Sequence, residues 1–116
     1  VGSGPTVTID SNAKLGPSST DSLLLGLMGC MSIDVLMILQ KGRVTVNSLE
    51  TRVEAERAPD PPKYFTRMRL TFTIDGPSPE DRSKIDRAIE LSREKYCSVF
   101  HSLRSDLEFD TVVEGV

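Results

Sequence analysis

The sequence predicts an α+β fold in which helices pack on one face of an antiparallel sheet and one long central helix is buried. Three observations predict it. Apolar residues occupy nearly every helical angle between Leu23 and Leu39, two stretches with a period of two flank a proline-rich loop, and an amphipathic helical stripe follows them.

The opening stretch, Val1 to Gly16, is rich in Gly, Ser and Pro, and within it Thr6-Val7-Thr8-Ile9-Asp10 alternates as a short strand ended by Ser11-Asn12. Pro17-Ser18-Ser19-Thr20-Asp21 has the chemistry of a helix start, with Ser18 able to cap the backbone N–H of Asp21 while the Asp21 carboxylate reaches back. The helix runs to about Lys41 and Gly42 stops it. Because its apolar residues face all ways, the pattern places it at a domain centre or in a subunit interface. A single sheet covers only one side of such a helix, so an obligate homodimer is expected.

From Arg43 to Ala58 the pattern changes to a period of two, with Leu49, Thr51, Val53 and Ala55 on one face and Glu50, Arg52, Glu54 and Glu56 on the other. Pro59-Asp60-Pro61-Pro62 forces a loop. Tyr64, Thr66, Met68, Leu70, Phe72 and Ile74 then alternate with polar residues as the second strand of a hairpin. Ser78-Pro79-Glu80-Asp81 repeats the helix-start signal, and Ile85, Ala88, Ile89, Ser92 and Tyr96 form one stripe behind it. A short helical turn from Cys97 to Leu103 and a last strand over Leu107 to Glu114 complete the order.

Length and charge narrow the function. With 116 residues, residues 1–116 are expected to form one domain, and 38% apolar against 27% charged residues is a globular balance. The numbering starts at Val1 rather than Met, which is compatible with an incomplete N-terminal segment. A formal charge of −3, 5% aromatics and no basic run give no footprint for nucleic acid. The apolar run from Leu23 to Leu39 is short of the ~20 residues of a membrane span and contains Ser32 and Asp34, so no membrane role is expected. The start of the chain has no secretory pattern, which reads as a cytoplasmic protein. One histidine, His101, and two cysteines cannot build a four-ligand zinc centre of the usual Cys/His kind, so no metal is expected. Gly26 and Gly29 lie inside a helix rather than in a phosphate loop, His101 has no nucleophile elbow, and Glu54 and Glu56 belong to a solvated strand face.

The cysteines remain. Cys30 lies one helical turn after Gly26, where a small residue lets a partner or substrate approach the sulfur. Cys97 precedes a short helix whose free N–H groups favour a thiolate. Spacing alone leaves them open to two readings, as small buried hydrophobes or as a redox pair.

The segment from Gly16 to Cys30, Gly-Pro-Ser-Ser-Thr-Asp-Ser-Leu-Leu-Leu-Gly-Leu-Met-Gly-Cys, with Ile33-Asp34-Val35 and Ile38-Leu39 after it, resembles the first-cysteine helix of the OsmC/Ohr family. Glu94-Lys95-Tyr96-Cys97-Ser98-Val99, followed by Ser102-Leu103, resembles that family's second-cysteine motif and is similar to its less characterised branch. The resemblance extends from Asp10 to the end. It implies an intertwined α+β homodimer with two central helices. It further implies a thiol-dependent peroxidase in which Cys30 attacks an organic hydroperoxide, Cys97 resolves the product as a disulfide, and a dithiol reductant resets the pair without a cofactor. The alternative is a non-enzymatic or redox-sensing dimer of the same fold that binds a hydrophobic small molecule. In the peroxidase branches a Glu ten residues before the first Cys, next to a Pro, holds an Arg against the thiolate. Ser19 and Thr20 stand there in this chain, and no Arg precedes Arg43. Activation of Cys30 is then expected from Lys14, from partners held by Asp21, or from backbone N–H groups.

Overall fold

The computed structural model describes residue 2 and residues 4–116. Helix α1 spans Ser19–Lys41, strands β1 and β2 span Ser48–Arg57 and Phe65–Asp75, α2 spans Arg82–Leu91, α3 spans Ser98–His101 and β3 spans Glu108–Glu114. A 3₁₀ turn, Pro79–Asp81, leads into α2, and a π turn, Ser92–Tyr96, leaves it.

The local signals form these elements largely as expected. The Ser18 hydroxyl accepts from the Asp21 N–H at 3.2 Å. At the second helix start the Asp81 carboxylate accepts from both the N–H and the hydroxyl of Ser78, each at 3.2 Å. Helix α1 ends with Gly42 as its cap, but the left-handed residue is Arg43, at φ 59°. Its N–H reaches the Gln40 carbonyl while that of Val44 reaches Leu39, the paired bonds of a Schellman ending.

Two expectations about strands change. Thr6 to Asp10 forms no strand: Val7 and Ile9 are exposed, and no ladder partner meets them among the described residues. Alternation alone holds no strand without a sheet edge to pair with. The sheet is also mixed rather than antiparallel, in the order β1-β2-β3. β1 pairs antiparallel with β2, opposing Leu49 to Ile74 and Val53 to Leu70. β3 pairs parallel with β2, opposing Met68 to Phe109 and Phe72 to Val113. The cause is the connection: α2, the π turn and α3 form a crossover that returns the chain in its original direction.

The core joins Leu27, Met31, Val35 and Leu39 of α1 to Met68, Leu70, Phe72 and Ile74 of β2 and to Ile85, Ala88 and Ile89 of α2. The four α1 residues are spaced by four, so this chain buries one stripe of the helix rather than its whole circumference. Leu23, Leu25, Ile33 and Met37 stay exposed, at 42–58% of their surface, because the sheet and α2 reach only one side. At 23 residues α1 is long and apolar enough to cross a membrane. Its polar residues nevertheless bond to other elements: Ser32 with Thr51 at 2.6 Å, and Asp34 with Ser92 at 2.8 Å.

Candidate active site

The two cysteines, 67 positions apart in sequence, meet where the middle of α1 passes the end of the π turn. The Cys30 and Cys97 sulfurs and a carboxylate oxygen of Asp34 all lie within 4.8 Å of one another. Both cysteines are free thiols, Cys30 half-buried and Cys97 fully buried.

The π turn decides which residue of the second motif enters the core. The stripe Ile85, Ala88, Ile89, Ser92 continues at helical spacing to Tyr96, yet Tyr96 is exposed. The Cys97 N–H bonds the Ser92 carbonyl, five residues back, at 2.8 Å. That extra residue per turn moves the inward position from Tyr96 to Cys97. Cys97 then caps α3, its sulfur accepting from the Phe100 N–H at 3.3 Å.

The neighbours give the thiols opposite tendencies. Burial acts most strongly on Cys30 and pushes its thiol up, but the Val99 N–H, the Cys97 thiol and the Ser98 hydroxyl outweigh it and leave the thiol below its ordinary value. Asp34 opposes them. Cys97 is pushed up to about 11, first by burial and then by Cys30 beside it, despite the Phe100 N–H. The expectation of a thiolate-prone Cys97 at a helix start is therefore corrected, because desolvation outweighs one hydrogen bond from a helix of four residues. Of the three supports considered for Cys30, a backbone N–H group fills the role. Lys14 instead belongs to the turn in which its N–H bonds the Asp10 carboxylate.

Asp34, which in the sequence is a polar interruption of an apolar helix and part of the stretch that resembles the first-cysteine helix, completes the cluster. It stands four residues after Cys30 on α1, and the buried Ser92 hydroxyl holds its carboxylate. The available signal was this i, i+4 spacing. A depression of about 400 Å³, lined by Asp34, Met37, Ile38, Lys41, Leu91 and Tyr96, adjoins this edge of the cluster. His101 stacks edge-on against Phe100 at 5.7 Å between ring centres, and Glu54 and Glu56 lie exposed on β1, so none of them joins the site.

The difference between the thiols has a direct expected result. In site-resolved iodoacetamide labelling of the reduced protein at neutral pH, Cys30 is alkylated well before Cys97. Cys30 reactivity rises with pH and levels off at a half-point below that of an ordinary thiol, because only the thiolate attacks and lowering the pKa moves its titration to lower pH. Cys97 labels appreciably only as pH approaches about 11 or the chain unfolds. Equal labelling of the two at pH 7 contradicts this assignment.

A long helix laid on a small mixed sheet, with two free thiols facing each other across the helix crossing, defines an α+β dithiol protein. The chain belongs to the OsmC-like protein family, whose family model matches residues 11–112. It is 40% identical over 98 residues to the protein YhfA of Escherichia coli K12, across 84% of this chain and 72% of that protein. An OsmC-like protein from Mycoplasma pneumoniae superposes with a TM-score of 0.77 at 21% identity, over 92% of this chain and 79% of that one. The organic hydroperoxide resistance protein OhrB of Bacillus subtilis superposes with a TM-score of 0.63 at 11% identity, over 90% and 75% of the two chains. At these identities the two solved structures establish the fold alone.

Proposed function

We propose that the protein is a thiol-dependent peroxidase that reduces organic hydroperoxides through Cys30 and Cys97. The observation that carries this reading is the pairing itself: a half-exposed thiol with a lowered pKa lies within 4.8 Å of a buried thiol held protonated at neutral pH. The Cys30 thiolate attacks one peroxide oxygen, the O–O bond breaks, and the alcohol leaves after taking a proton. Cys30 is then a sulfenic acid. Cys97 attacks that sulfur, an S–S bond forms and water departs with the Cys97 proton. An external dithiol supplies two electrons and two protons to restore both thiols. The steps need no metal or organic cofactor. The name of the Bacillus subtilis relative, a hydroperoxide resistance protein, is consistent with this chemistry.

Stopped-flow mixing of the reduced protein with an alkyl hydroperoxide tests it. Stoichiometric loss of hydroperoxide with one disulfide formed per chain is expected, and turnover when a dithiol is added. No consumption over minutes at neutral pH overturns the proposal and leaves the non-enzymatic reading. One observation favours that second reading: a cavity of about 310 Å³ lined by Leu23, Tyr64, Phe65, Met68, Leu103 and Leu107, among others, offers room for a hydrophobic small molecule.

The same reading includes a homodimer. Leu25, Gly26, Ile33 and Met37 leave one side of α1 apolar and exposed, and the space a Cβ would occupy at Gly26 and Gly29 is open, which lets a second helix approach closely. Sedimentation equilibrium is expected to show a dimer at micromolar concentration, and the double substitution Ile33→Asp, Met37→Asp to shift it to monomer or unfold it. A folded wild-type monomer at that concentration rules the dimer out.

A further inference from the structure

We propose that the reduced protein binds a borderline-soft divalent cation, Zn²⁺ being the natural case, through the sulfurs of Cys30 and Cys97 and one carboxylate oxygen of Asp34. This goes beyond peroxide reduction: a filled site withdraws both thiols from peroxide and from disulfide formation, and binding does not depend on peroxidase activity.

The count of Cys and His residues excludes only a closed centre of four such ligands. Asp34 supplies a third donor that this count omits. Cys30 and Asp34 lie at i and i+4 on α1 and project to the same side, the spacing by which one helix presents two ligands to one ion. Cys97 comes from the crossing segment, so two rigid elements hold the three donor atoms, all within 4.8 Å of one another. Around a tetrahedral zinc ion such atoms sit about 3.5–3.8 Å apart, a closure of about 1 Å that side-chain torsions can supply.

The surroundings orient each donor. The buried Ser92 hydroxyl donates to Oδ2 of Asp34 at 2.8 Å and holds the carboxylate in place. The Phe100 N–H fixes the Cys97 sulfur at 3.3 Å. Hydrogen bonds of this kind hold metal ligands in their binding geometry. The half-exposed side at Cys30 leaves the fourth position to water, as in an open, exchangeable site.

Charge favours the same occupant. The one acidic side chain in the cluster is the Asp34 carboxylate, which sets negative charge beside the two sulfurs. A cation placed among the three is attracted by that charge. Binding moves no electrons: two S–H bonds give way to two metal–sulfur bonds, two protons leave, and the carboxylate binds in its ionised form.

The test is anaerobic titration of the whole reduced chain with Co²⁺, then displacement by Zn²⁺ in competition with a chromophoric chelator. One ion per chain and a thiolate-to-cobalt charge-transfer band are expected. Asp34→Asn, which keeps the side-chain shape, should retain the band and weaken binding by about tenfold or more, and Cys97→Ser should weaken both the band and the affinity. Wild-type protein oxidised to the disulfide should bind no ion, a comparison that needs no variant to fold. Binding without the charge-transfer band, less than half an ion per chain, equal affinity in folded Asp34→Asn, or equal affinity in the oxidised protein would each overturn the site.

Discussion

If the protein is the proposed peroxidase, Cys30→Ser is expected to abolish hydroperoxide reduction, whereas Cys97→Ser is expected to consume one equivalent per chain and then stop as Cys30 over-oxidises. The asymmetry follows from the surroundings of the two sulfurs. Burial raises the half-buried Cys30 thiol, but the Val99 N–H, the Cys97 thiol and the Ser98 hydroxyl outweigh it and leave the thiol below its ordinary value, so in the proposed reaction Cys30 supplies the thiolate that meets peroxide. A serine hydroxyl at that position is not ionised at neutral pH, and the loss is that of the whole chemical step. Cys97 has no exposed surface and a thiol pushed up to about 11, so it can attack only a sulfur already beside it. Without it the sulfenic acid has no partner and proceeds to sulfinic acid. Intact-mass measurement after one and after ten equivalents of hydroperoxide distinguishes the two variants. If Cys97→Ser instead loses the first equivalent, the roles are reversed.

Phe72→Ala is expected to lower unfolding stability by about 3–5 kcal/mol, enough to unfold a marginally stable domain. Phe72 is fully buried on the middle strand, where it opposes Thr51 of β1 and Val113 of β3, and it belongs to the core that holds α1 and α2. Both neighbouring strands and the helices are fixed by other contacts, so the cavity cannot collapse fully and the cavity cost adds to the lost transfer energy. Urea denaturation measures it. A loss below about 1 kcal/mol would mean that the helices settle into the space and that this core is far more plastic than its packing indicates.

Much of the fold was legible because its signals are local. Ser18 and Ser78 mark helix starts through atoms three residues away, and the alternation of Leu49 to Glu56 is a property of one strand. The short strand expected at Thr6 to Asp10 carried the same alternation and failed, since alternation reports a face without supplying an edge to pair with. The candidate site was half legible. Cys30 and Cys97 stood out by type and by family resemblance, and the structure brings them together. Asp34 was legible only as a polar break and as part of the first-cysteine motif, and Ser92 only as a position on a stripe, because a carboxylate inside an apolar helix and a serine on an amphipathic stripe acquire a role only when their two segments touch.

By itself the sequence determined α1, the β1–β2 hairpin, α2, the inward face of β2 and the two thiols, each written in a spacing of four residues or fewer or in residue type. Tertiary structure decided the rest. It set β3 parallel to β2, because the direction of an edge strand depends on the whole crossover between them. It placed Cys97 rather than Tyr96 in the core, because one π hydrogen bond shifts the phase of everything after Ser92. And it buried one stripe of α1 and left Leu25, Ile33 and Met37 bare, because burial depends on which surfaces come within reach, a property of distant residues that no periodicity along one helix encodes.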